Sequence, residues 1–346
     1  HKLQGLDNDY DYGEWYDLTK PTEEELKRQR ETKLPFEPLL SVVIPAYKTP
    51  EKYLREMLDS ILAQTYKNWE LCLADGSDDA HAYVGEYCKR LAAQDSRIVY
   101  QKLAKNEGIS GNTNECYKLA SGEFIGLFDH DDILHPCALY EYVKAINEKD
   151  ADFIYCDEAT FKSPDINKMI TMHFKPDYAI DNLRANNYIC HFSVFSRELL
   201  DGTELFRTKF DGSQDHDMIL RLTDNAKHIV HVPKLLYYWR SHAGSVAGNI
   251  EAKLTWSKRR EARLRIICAD TASKTLQLRA LARLRRFLKS VMKLSGNRRF
   301  LSLFRTRIMW KTCAAVSAPL WKNRPGKTTR SLSWRTTARR RRFFLL

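Results

Sequence analysis

The chain has 346 residues, 43% of them hydrophobic, and a formal net charge of +12. That is enough apolar material for one large or two ordinary folded domains. It contains no uncharged apolar run of the roughly 18 residues a bilayer crossing needs, and its eight cysteines form no C-x-x-C pair, so neither a spanning helix nor a zinc site or disulfide frame is expected.

Scattered, unpaired thiols fit a cytoplasmic protein. No signal-peptide pattern follows His1, which reads as the start of a fragment or a processed end. The charge is sharply divided: from residue 251 onward 27 Lys and Arg meet only Glu251, Glu261 and Asp270, whereas the first 250 residues are net acidic. The pI near 9.2 therefore describes neither region.

Residues 1–37 are polar and read as a leader in which "TEEELKRQRE" is an exposed helix capped by Thr22 with an acidic first turn. At Leu39 the texture changes to "LLSVVIP", a continuous apolar, β-branched run of the kind that forms a strand buried on both faces. Leu54, Met57, Leu58, Ile61 and Leu62 then fall at helical spacing, and "WELCLA" restores a strand that ends in the turn "DGSDD". The alternation continues with a helix near 81–93, the strand "RIVYQ", a Gly/Asn-rich loop over 105–112, a helix over 113–120 and the strand "EFIGLF". A helix over 136–147 and the strand "ADFIYCDE" come next.

Strand and helix in strict alternation predict an α/β fold with a mainly parallel sheet flanked by helices. Ligands of such sheets bind at the carboxyl ends of the strands, where both "ADGSDD" (74–79) and "DHDD" (129–132) fall. From 173 to 250 the pattern is less regular and supplies the other wall of a cleft.

Three carboxylates within four positions, Asp129, Asp131 and Asp132, repel one another. They are either solvated in a turn, with Asp132 capping the next helix, or neutralised by a hard cation such as Mg²⁺ or Mn²⁺ whose shell a substrate diphosphate completes. An isolated D-x-D favours the turn; one that comes after the fourth strand of an alternating array favours the cation. Asp75 could equally be a tight-turn residue or an acceptor for a nucleotide's base or ribose. No P-loop and no G-x-G-x-x-G is present, so phosphate contacts must come from metal and basic side chains. Arg240 and His242 in "YYWRSHAGS" are candidates, against the alternative of a surface Arg and a loop His. Asp215 and Asp217, on either side of His216, read by themselves as helix caps.

From about Leu39 to Lys253 the chain resembles the family 2 glycosyltransferases, which have the nucleotide-sugar-binding fold called GT-A. The matching pieces are "SVVIPAYKTPEKYLREMLDSILAQTYKNWEL", "LADGSDD", "NEGISGNTN", "ASGEFIGLFDHDD", "YCDE", "HFKPD", "GSQDHDMILRL" and "LLYYWRSHAGSVA", in order and at matching spacing. The resemblance implies a metal-dependent, inverting transfer of a sugar from a nucleoside diphosphate sugar to a glycan or lipid-linked acceptor, in surface polysaccharide or glycolipid assembly. It implies that Pro45, Ala46 and Tyr47 line the nucleotide pocket and that Asp75 meets the base. Asp129 and Asp131 become the D-x-D, with Asp131 the direct ligand of Mn²⁺ or Mg²⁺ and Asp132 beside it. Asp215 takes the place of the general base, Arg240 and His242 that of a loop closing over the diphosphate, and Asp157, Glu158 and His191 lie on the acceptor side. A nucleotidyltransferase, or an inactive relative that only holds a nucleotide or glycan, are the alternatives.

Two departures from the pattern stand out. Many relatives have two acidic residues where this chain has Ala74-Asp75, so one nucleotide contact is missing or dispensable. The expected domain is 38–253, and beyond it the basic stretch 254–346 replaces an ordinary amphipathic helix. Out-of-frame translation best fits that change; a basic amphipathic segment making peripheral contact with the inner face of a membrane comes second. A nucleic-acid partner finds no support in the catalytic part.

Overall fold

Seven consecutive buried residues, Leu40–Ala46, form strand β1 at the centre of the sheet. The structure is a computed structural model that describes residues 13–162, 166 and 169–242, all within the compact unit His1–Thr271. The basic stretch 254–346 lies outside the described residues. Strands β2 (Trp69–Asp75), β3 (Ile98–Lys102) and β4 (Phe124–Leu127) run parallel to β1 in the order β3-β2-β1-β4.

The sheet then changes character. Of the remaining strands, β5 (Ile133–Leu134), β6 (Phe153–Lys162), β7 (Met169–His173), β8 (Ser193–Ser196) and β9 (Ile229–Ser241), β8 joins β4 antiparallel and β6 joins β8 antiparallel. β9 lies parallel to β6, while β5 and β7 add antiparallel edges to β9 and β6. The mainly parallel half matches the sequence pattern, and the strands it left irregular make the mixed half.

Helices cover both faces. Helix α3 (Glu51–Leu62) buries Leu54, Met57, Leu58 and Ile61, one stripe at i, i+3, i+4 and i+7. Truncating any of these to Ala should cost about 2–5 kcal/mol. Helix α4 (Ala82–Ala92) buries Val84 and Cys88, and α6 (Ala138–Lys149) buries Leu139, Tyr142, Val143 and Ile146.

Helix α5 (Gly108–Leu119) begins earlier than the Gly/Asn-rich text suggests. Gly108 takes φ +77 just before the first turn, and the Asn106 side chain accepts from the Gly108 N–H at 3.0 Å. Ser110, Asn112 and Thr113 are buried, so tertiary packing overrides their weak helix propensity. The remaining helices are α7 (Ile180–Ala185) and α8 (Gln214–Asn225).

The stretch expected to be an exposed leader is docked instead. Helices α1 (Gly13–Thr19) and α2 (Glu23–Glu31) pack through Tyr16 and Leu26, both buried. Tyr16 joins the apolar cluster of Ala159, Phe161, Met169, Leu235 and Tyr238, and its hydroxyl hydrogen-bonds that of Tyr238. The expected capping box of α2 is present: the Glu25 N–H donates to Thr22 Oγ1 at 3.2 Å and the Thr22 N–H to Glu25 Oε2 at 2.8 Å. Among the described residues no helix is long and apolar enough to cross a membrane.

Candidate active site

Parallel register brings the first group of candidate residues to one sheet edge. Ala46 at the end of β1 pairs with Asp75 at the end of β2, and Asp75 with Lys102 at the end of β3. Pro45 and Ala46 are buried in the strand, and Tyr47, the next residue, is 41% exposed at the mouth of this edge. Asp75 is buried, accepting from the Ser77 N–H at 2.8 Å through Oδ1 and from the Tyr100 hydroxyl at 2.9 Å through Oδ2. The Lys102 ammonium stands 3.2 Å from the same Oδ2 and also donates to the Ser77 carbonyl. Lys102 carries no signal of this in the sequence, since only strand register puts it beside Asp75.

The acidic loop after β4 divides its three carboxylates among three environments. Asp129 is the most open, 39% exposed at its side chain, with His191 Nε2 3.3 Å away. Asp131 is 19% exposed and lies 2.8 Å from His242 Nε2. Burial alone would push the Asp131 carboxyl up, but the His242 hydrogen bond and the nearby His130 hold it below the usual carboxylate range.

Asp132 is fully buried. Its Oδ1 accepts from the Arg240 N–H at 2.7 Å and its Oδ2 from the Tyr237 hydroxyl. Burial, together with repulsion from Asp131 and Asp129, pushes its carboxyl well above the usual range. Both oxygens face inward, so a place for Asp132 in a metal shell is corrected to that of an anchor fixing the loop to β9. The loop's other face is pinned by His130, whose Nδ1 lies 2.8 Å from Thr49 Oγ1. Among the described residues no three His, Cys, Asp or Glu side chains are grouped to hold a metal unaided.

Arg240 is also corrected. Its guanidinium has no exposure and lies between the rings of Tyr53 and Phe161, 4.4 and 4.6 Å from their centroids. Nε donates to the Asp131 carbonyl at 2.6 Å, and Nη2 is 2.7 Å from Glu56 Oε2. A group so enclosed sets the backbone of the acidic loop and is not placed to meet a diphosphate. His242, less buried and tilted 47° over Tyr53 at 5.2 Å, stays at the site.

The second wall comes from α8 and the strap between α7 and β8. Asp215 lies half-buried in the first turn of α8, with Gln214 Nε2 donating to it at 3.2 Å. Burial raises its carboxyl to about 6, with His191 opposing and Asp129 adding to the rise. Asp217, two residues on, is buried and paired with Arg207 and with Arg221 at 3.0 Å, which makes it structural. His191 stacks on Tyr237 at 5.1 Å and 20°. Burial disfavours its imidazolium, but Cys190, Asp129 and Asp215 raise it well above the ordinary value.

Asp157 and Glu158 are buried supports and do not line an acceptor surface. Asp157 Oδ1 accepts from the Lys175 N–H and from His231 Nε2, both at 2.8 Å. Glu158 Oε2 accepts from the Lys175 ammonium at 2.9 Å. Lys175, in "HFKPD", gives no hint of this in the sequence, because its partners lie 14 to 18 residues away.

Comparison with known proteins agrees with this architecture. Residues 41–203 match the family model described as Glycosyl transferase family 2. An uncharacterized protein of Sinorhizobium fredii is 41% identical over 220 residues, 62% of this chain and 24% of that protein. The O-antigen biosynthesis protein RfbC of Myxococcus xanthus is 31% identical over 238 residues, 68% of this chain and 18% of that protein. The chain thus spans about a quarter of these relatives' length or less.

Among solved structures, S. aureus TarS 1-349 superposes with a TM-score of 0.53 at 20% identity, covering 70% of this chain and 69% of that one. A second structure of TarS 1-349, in complex with UDP, gives 0.53 at 19% identity over 70% of each chain. At such identity the likeness is one of fold. By its match over residues 41–203 and its likeness in fold to TarS, the chain is similar to glycosyl transferase family 2.

Proposed function

We propose that this chain transfers a sugar from a nucleoside diphosphate sugar to a glycan or lipid-linked acceptor, with inversion and with a divalent metal, in surface polysaccharide or glycolipid assembly on the cytoplasmic side. The observation that carries it is the different environment of two carboxylates: Asp131, hydrogen-bonded by His242 in the loop after β4, is held below the usual carboxylate range, while Asp215 in the first turn of α8, near His191 and Asp129, is lifted to about 6. A carboxylate of that affinity suits a general base at neutral pH. The RfbC relative, an O-antigen biosynthesis protein, and the TarS structure with UDP support the polymer class and the donor class.

The donor set fits a hard cation. Asp129 and Asp131 offer carboxylate oxygens on the open side of a loop whose backbone is fixed from behind by Asp132 and Arg240. Mn²⁺ or Mg²⁺ held there with the diphosphate would neutralise charge on the leaving group. In the proposed step Asp215 takes the acceptor hydroxyl's proton as that oxygen bonds the anomeric carbon. The carbon–oxygen bond to the diphosphate breaks, and the nucleoside diphosphate leaves with the electron pair. In this reading Tyr47 and Lys102 would meet the nucleoside, with buried Asp75 holding the Lys102 ammonium in place.

Calorimetric titration of UDP, GDP and dTDP with and without Mn²⁺ tests the site, and product analysis tests the reaction. Metal-dependent binding selective for one base, and release of a nucleoside diphosphate, are expected. Release of inorganic diphosphate would instead favour nucleotidyl transfer, and binding without turnover would favour an inactive relative.

A further inference from the structure

We infer that Lys175 is a positioning residue for sugar transfer: its buried ammonium clamps the strap 189–191 and so holds His191 against Asp129. The inference rests on the proposed transfer reaction but concerns groups which that reaction does not itself require.

The ammonium has three N–H donors, and all three are used within the fold. It donates to Glu158 Oε2 at 2.9 Å, to the Ile189 carbonyl at 2.6 Å and to the His191 carbonyl at 2.5 Å. Lys175 and Glu158 are both buried, with 3% and 6% of their side chains exposed. Burying such a pair is costly and is weak support for stability in itself. What the pair achieves here is geometric. The two carbonyls it grips flank Cys190, a non-glycine residue with φ +44. That left-handed conformation persists only where the surroundings over-determine it. The Cys190 carbonyl accepts from Ser193 Oγ at 2.9 Å, completing the hold.

The strap's product is the placement of one ring. His191 Nε2 lies 3.3 Å from Asp129, the more open carboxylate of the D-x-D, and the ring rests on Tyr237, whose hydroxyl donates to Asp132. His191 thus links the acceptor-side wall to the acidic loop, and Lys175 sets its height. Without the clamp the strap can relax, and His191 with it, while the nucleotide edge formed by β1, β2 and β3 is untouched.

The test uses the full chain carrying Lys175→Met with Glu158→Gln, a neutral pair of similar volume that avoids leaving a buried charge alone. Thermal melting confirms folding. Hydrogen exchange at amides 189–192 should rise at least tenfold, with UDP affinity in the presence of Mn²⁺ unchanged within twofold. With UDP-GlcNAc as the first donor of a panel, kcat should fall at least tenfold at unchanged donor KM. Adding His191→Ala should lower kcat no further, because both changes act through one ring.

Unchanged exchange in the strap overturns the inference, as does additivity with His191→Ala or a parallel loss of UDP binding. Asp215→Asn is assayed alongside. If the parent chain transfers nothing from any donor, the reaction assignment fails, and the exchange result still decides whether Lys175 holds the strap.

Discussion

Replacing Asp215 by Asn should make the protein more stable and far less active, and the two effects have one cause. Burial lifts the Asp215 carboxyl from 3.8 to about 6. At about 1.4 kcal/mol per tenfold, keeping it ionised in the folded state costs up to about 3 kcal/mol. The partial exposure of the side chain makes this an upper value. The sign comes from linkage: a group whose folded pKa is raised adds stability below its unfolded pKa and loses it as pH rises through the folded one. Asp215→Asn should therefore equal the parent below about pH 4 and gain up to about 3 kcal/mol by pH 8, read by denaturant unfolding in metal-free buffer. In the same variant transfer should fall by about 10²–10⁴, the usual contribution of a general base. The parent's kcat/KM should rise with pH to a plateau above about 6. A variant no more stable than the parent at pH 8 that still transfers sugar would refute both the burial argument and the base assignment.

Other perturbations separate the remaining roles. Asp131→Asn should abolish the Mn²⁺-dependent part of UDP binding by calorimetry, since Asp129 is then the one carboxylate left on the loop's open side. Arg240→Met should cost about 3 kcal/mol or more in urea unfolding, because Glu56 loses its partner and the Asp131 carbonyl its donor. Adding Glu56→Met should recover part of that loss; no recovery would count against the pair as its source. Truncation after Lys253 should leave UDP affinity within twofold, and a loss of cooperative melting would show that residues beyond it are needed for the fold.

Local chemistry made one half of the sheet legible. Leu40–Ala46 is apolar and β-branched on both faces because the strand is buried on both, and α3 announces itself by a single stripe. The position of the acidic cluster after β4 came from counting strands. The cluster's internal division did not, because it depends on partners far along the chain: Asp132 meets Tyr237 across 105 positions and Asp131 meets His242 across 111. The same holds for Arg240, which looks like a phosphate donor in sequence and proves to be enclosed by Tyr53 and Phe161. An ionisable residue's text is the same whether it greets a ligand or pairs with a neighbour, and only packing distinguishes the two. Tyr16 was hidden for a related reason: it is one of four aromatics, with Tyr10, Tyr12 and Trp15, in a polar stretch without helical periodicity, so nothing in the text singles out the ring that docks the helix.

That docking bears on how the domain can be moved between proteins. The family match begins at residue 41, whereas Tyr16 shields Tyr238, Leu235, Ala159 and Phe161 well before it. A graft or deletion cut at the family boundary would bare this apolar surface on β6 and β9, and β9 is the strand that ends in Arg240 and His242. A chimera that carries residues 13–39 along with the catalytic part keeps the cover in place. One that omits them would be expected to aggregate, with its acidic loop loosened from the far side of the sheet.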